Sequence, residues 1–90
     1  MSEHYFRHID GGLYRFIAHA RSADDESEVV VYEHLWPFDP GVWIRKRTEF
    51  EARFAPTDEM NVKRAMKQDR GEAQAQVRAA KAARRAAQTK

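Results

Sequence analysis

Apolar and polar positions alternate along much of the first 54 residues, and beyond them the alternation gives way to a helical, alanine-rich pattern. Residues 4–9 form a short, partly aromatic run that predicts a strand. Asp10-Gly11-Gly12 follows and supplies the positive φ angles of a tight hairpin turn. In residues 13–20, Tyr14, Phe16 and Ala18 alternate with Arg15, Ile17 and His19, so one side is apolar and the other mixed. Residues 21–27 are a polar loop with Asp24, Asp25 and Glu26. Residues 28–36 predict the strongest strand: Val29-Val30-Val31-Tyr32 is β-branched and aromatic, and apolar on both faces, which suits a position inside a sheet. Two prolines and a glycine mark 36–41 as a turn. A strand restarts over 42–46 with Trp43 and Ile44. A fifth is expected over 50–54, with Phe50, Ala52 and Phe54 on one side and Glu51 and Arg53 on the other. Five short, closely spaced strands predict a mainly β fold, a small SH3-like barrel or half-barrel.

Pro56 is expected to end the sheet. Thr57 or Asp58 is placed to cap a helix, with Asp58 and Glu59 in its first turn. Helix is predicted over 60–70, with Glu59 four residues before Lys63, and Gly71 is expected to bend it. A second helical stretch over 72–88 is rich in alanine. Its apolar stripe of Ala73, Val77, Ala80 and Ala87 is thin, which predicts weak anchoring and fraying toward Lys90. The expected organisation is a β domain over 1–56 and a basic helical tail over 57–90.

Charge reinforces that division. Residues 1–56 hold seven Lys/Arg against ten Asp/Glu, whereas residues 57–90 hold nine against four. A basic tail beside an acidic body favours an anionic partner. Absence of cysteine excludes disulfides and thiolate metal sites. No apolar run approaches the ~20 residues that span a bilayer, and the start lacks the features of a signal peptide. A cytoplasmic protein is the expectation.

The β half resembles a bacterial and phage family of small domains of unknown function. Arg7-His8, Gly11 or Gly12, Tyr14, Ala18 or Ala20, Val30-Val31-Tyr32, Leu35, Trp43-x-Arg45 and Phe50 carry the resemblance. Phe6 stands where that family has a tyrosine, and Lys46 where it has a proline. The likeness covers residues 5–54. It implies a compact β domain and brings no established activity.

Two groups of residues suggest binding. The first combines aromatic and cationic side chains: Arg7, Tyr32, Trp36, Phe38, Trp43 and Arg45. Tyr32 and Trp43 are expected first as core residues. Trp36 and Phe38 flank prolines in a loop and are evenly balanced between core and contact. Where such rings are exposed they stack on bases, and arginine adds charge and cation–π contact. The second group is cationic: Arg64 and Lys67 on one helical segment, and Arg78, Lys81 and Arg85 on one face of the next, spaced to lie along a phosphate backbone. Together they predict a non-enzymatic module that binds nucleic acid, RNA or DNA. An adaptor or inhibitor of phage type, docking on an acidic protein surface, is the alternative. A third reading is a small-ligand or nucleotide-processing site lined by Tyr14, Trp43 and His34. No catalytic motif is present. His4 and His8 would lie ~13 Å apart along a strand, too far to share an ion, so no metal or other cofactor is expected. The alanine-faced helix does not suit a membrane surface.

Overall fold

The computed structural model describes residues 4–88. Its strands are β1 (Tyr5–His8), β2 (Leu13–Arg21), β3 (Glu28–Trp36), β4 (Gly41–Lys46) and β5 (Phe54–Thr57). They form one antiparallel sheet in the order β4-β3-β2-β1-β5. The five-stranded, strand-rich fold with helices at its C-terminal end is thus the one expected. The sheet stays open, with β4 and β5 as its two edges. At the β1–β2 turn, Gly11 adopts φ +105°, a conformation that favours glycine.

The segment 47–53 corrects the expected fifth strand. It is a helix, α1 (Arg47–Arg53), and β5 begins only at Phe54. Phe50 and Phe54 satisfy a period of two and a spacing of four equally well. In the helix-to-strand arrangement their rings stack face to face, 4.1 Å between centroids and 8° from parallel. Glu49 in the first turn, Arg53 in the last and the Arg47–Glu51 pair favour helix. Pro56 therefore lies inside β5 rather than ending the sheet, at an edge where its missing N–H costs little.

Strand alternation sends Phe6, His8, Tyr14, Phe16, Val30, Tyr32, His34, Trp43 and Arg45 to one sheet face. Helix α1 covers part of that face. Phe50 and Phe54 join Val30 and Tyr32 in the core, flanked by Phe6, Tyr14 and Phe16. Edge-to-face contacts lock it: Phe6–Phe50 at 5.0 Å, Tyr14–Phe54 at 5.1 Å and Tyr14–Tyr32 at 5.2 Å.

Two more helices follow. Asp58 caps α2 (Glu59–Ala65) by accepting the Asn61 N–H at 2.8 Å, and Glu59 pairs with Lys63. The break before α3 (Arg70–Gln88) falls at 66–69, ahead of Gly71. Asp69 causes it by capping α3 through the Glu72 N–H at 2.9 Å. The tail helix does not stand alone. Arg70 and Gln74 donate to the buried Pro37 carbonyl at 2.8 and 2.9 Å, and Arg70 also pairs with Asp39. Arg84 reaches Asp10 in the first turn. Polar contacts thus dock a helix whose apolar stripe is too thin to do so.

A cleft lined by aromatic and basic side chains

Helix α1 leaves one end of the sheet face uncovered, and α3 crosses in front of it. Between them lies a cleft of about 440 Å³. The sheet supplies His8, Tyr14, His34, Trp43 and Arg45, the β3–β4 loop Phe38, and α3 Val77, Arg78, Lys81 and Arg84. Its size suits a single nucleotide-sized group.

The two histidines are held neutral. His34 Nε2 accepts the Phe38 N–H at 3.0 Å, which also fixes the loop that carries Phe38. His8 Nδ1 accepts the Asp10 N–H at 3.0 Å. Burial is the main cause that pushes both below the ordinary imidazole value, with Arg70 adding to it at His34. At His8 burial outweighs the opposing pull of the Asp10 carboxylate, so the 3.4 Å approach of the two groups is not an ion pair at neutral pH. Each ring has one nitrogen engaged as an acceptor, so the other carries the proton. No buried side-chain nitrogen or oxygen among the described residues lacks a partner. The remaining ring N–H groups therefore keep access to solvent, as donors.

Two acidic residues, Asp10 and Asp39, line the cleft, and both are already paired: exposed Asp39 with Arg70 at 2.8 Å, and buried Asp10 with Arg84. Arg84 grips Asp10 through two hydrogen bonds, Nε to Oδ1 at 3.1 Å and Nη2 to Oδ2 at 3.0 Å. That grip holds its carboxyl below the usual range. Burial raises the Tyr14 phenol to about 12, so it too stays protonated. Arg45 donates to Tyr32 Oη at 3.3 Å and lies 5.7 Å from the Phe54 ring centroid. Arg78 sits 5.1 Å from the Phe38 centroid. The cleft thus offers cations, neutral donors and aromatic faces, with its two carboxylates already paired to arginines.

The pH dependence has a definite sign. Both histidines titrate lower in the folded chain than the ordinary 6.5, so below that pH the unfolded chain binds more protons. Stability is full above 6.5 and is lost as pH falls toward the depressed values. Asp10 adds a second loss below 3.8. We expect the melting temperature to fall by several degrees between about pH 7.5 and about pH 5. His34→Gln, which keeps an acceptor for the Phe38 N–H, should flatten that profile. A flat wild-type profile would show that the imidazoles are not desolvated.

The structure brings Phe38, Trp43, Arg45, Arg78 and Lys81 together, along with Tyr14, Trp43 and His34 as a pocket. Tyr32 is buried as expected, but Trp43 is 60% exposed and not a core residue. The reason is its place on an edge strand, with its indole over Gly41. Arg7 and Trp36 line a different cavity, of about 580 Å³, between the first turn, α2 and α3. Arg64, Lys67 and Arg85 are exposed on α2, on the segment after it and on α3, outside the cleft lining. Sequence reasoning missed His8, Asp10 and Arg84 as site residues. Asp10-Gly-Gly reads as a turn, and nothing local announces a partner at position 84. Among the described residues no three His, Cys, Asp or Glu side chains converge as metal ligands do. None of the described helices is long and apolar enough to cross a membrane.

Fold and cleft together define a small, open antiparallel-sheet domain with a basic, aromatic recess under its C-terminal helix. The chain belongs to the family described as "Protein of unknown function (DUF1653)", whose model matches residues 4–67. That match covers the sheet, α1 and α2 and stops before α3. No curated protein and no solved structure matches.

Proposed function

We propose that this domain is a non-enzymatic module that binds single-stranded nucleic acid, one base entering the cleft between strand β4 and helix α3. A single observation carries this reading: Trp43, Phe38, Arg45, Arg78 and Lys81 line one recess, although they come from a strand, a loop and a helix. Exposed Trp43 offers a stacking face, and Arg45, Arg78 and Lys81 supply charge for the adjoining phosphates. The donor-rich, acceptor-poor lining favours a ligand that presents oxygens. A cleft that holds one base cannot admit a paired one, which favours single strands over duplex. The adaptor reading has less support, because Arg70 and Arg84 already engage the chain's own Asp39 and Asp10.

Titration of short single- and double-stranded oligonucleotides at two salt concentrations tests this. Single strands should bind more tightly. Three phosphate contacts would give a slope of log K against log salt of roughly −2. Trp43→Ala should weaken binding about 10-fold or more, since stacking on one ring is worth ~1–3 kcal/mol. No binding at low salt would refute the proposal. Binding of free mononucleotides as tight as that of oligonucleotides would move it to the small-ligand reading, which the Tyr14, His34 and Trp43 grouping favours.

A further inference from the structure

We propose that β4 is a self-pairing edge, through which two copies of this chain join their sheets antiparallel about a twofold axis at Trp43. The two edges of the sheet are built differently. β5 is four residues long and carries Pro56, which removes a donor and blunts it. β4 is six residues long, contains no proline, and pairs with β3 in unbroken register from Val29↔Lys46 to His34↔Gly41. Among the described residues no strand neighbours its outer row of backbone groups. Three consecutive large apolar residues lie on it: Val42, Trp43 and Ile44 are 62%, 60% and 65% exposed. A regular edge with so long an apolar stretch is a template for another strand.

The order of apolar and charged residues along the edge suits a second copy as that strand. With Trp43 opposite its symmetry mate, Val42 faces Ile44, Arg45 faces Gly41 and Lys46 faces Pro40. Arg45 and Lys46 lie at one end of the edge and the uncharged Pro40 and Gly41 at the other, so antiparallel pairing about Trp43 sets no like charges opposite one another. Pairing Arg45 with its own mate would do the reverse, which disfavours that register. Val42 and Ile44 point to the sheet face away from Trp43, so self-pairing covers apolar surface that the cleft does not use. The interface is isologous, the arrangement of most homodimers.

Sedimentation of the full chain across the micromolar range, with hydrogen exchange read at β4, tests the pairing. Wild type should sediment as a dimer, and β4 amides should gain protection as concentration rises. Ile44→Lys, alone or with Val42→Lys, should give a monomer with an unchanged circular-dichroism spectrum. Ile44→Lys sets a charge opposite apolar Val42 of the other copy and the double variant sets lysine opposite lysine, while both positions are already exposed, so the monomer itself is not expected to unfold. Oligonucleotide binding by the monomeric variant separates this inference from the cleft. A wild type that stays monomeric overturns self-pairing, as does a dimer indifferent to both substitutions. Protection of β4 that arises only on mixing with another protein would assign the edge to a foreign strand and equally overturn it.

Discussion

Phe54→Ala should cost about 3–5 kcal/mol, the usual range for removing a buried phenylalanine. For a domain of this size that lowers the melting temperature by roughly 15–30 °C. Phe54 is a hub of the core. Its ring stacks on Phe50 at 4.1 Å and meets Tyr14 at 5.1 Å, Tyr32 at 5.3 Å and His8 at 4.8 Å. Small domains hold only ~5–15 kcal/mol in reserve, so the variant lies near the limit of folding. Phe50→Ala should cost a comparable amount. Because the two rings touch, the double variant should lose less than the sum of the single losses. Thermal melts followed by circular dichroism give both numbers. A loss below about 1 kcal/mol for Phe54→Ala would mean that the Phe50–Phe54 stack does not complete the core.

The segment 50–54 also shows where local pattern stops being informative. Phe-Glu-Ala-Arg-Phe alternates as a strand does and repeats at four as a helix does. Only the tertiary requirement decides: two rings must reach the same small core. In a strand over 50–54 they would lie ~13 Å apart, too far to stack. Where a segment has one reading, sequence suffices. β3 runs from Glu28 to Trp36 as expected because no helical face exists in Val-Val-Val-Tyr. Asp58 caps α2 because its carboxylate precedes a run of good helix formers.

The cleft divides along the same line. Its aromatic and basic members were legible as residue types, since tryptophan beside arginine is conspicuous in so small a chain. Their neighbours were not. Asp10 and Arg84 are 74 residues apart, and their pairing follows from where α3 lies. Trp43 departs from its expected burial for a related reason. Burial preference speaks for a tryptophan in general and cannot tell an edge strand from an inner one. The Tyr32 ring beside it in the register is buried because β3 has neighbours on both sides.

Removing α3 should separate folding from binding. The core of Val30, Tyr32, Phe50 and Phe54 contains no residue of that helix, and the family match ends at residue 67. A chain ending at Gln68 should therefore still melt cooperatively, at a lower temperature, because Asp10 and the Pro37 carbonyl then turn to water for their hydrogen bonds. It should bind oligonucleotide far more weakly, because Arg78 and Lys81 leave the cleft with the helix. At ~1.5 kcal/mol or more for each charged hydrogen bond, their loss amounts to roughly 100-fold. The full-length double variant Arg78→Ala, Lys81→Ala should bind as poorly as the shortened chain while melting close to wild type, since neither side chain fills the core. That pairing of results distinguishes a helix that serves the ligand from one that serves the fold. If the shortened chain loses its cooperative transition, α3 is part of the folded body. If the double variant binds undiminished, the phosphate contacts lie elsewhere, and the cleft does not bind nucleic acid in the manner proposed.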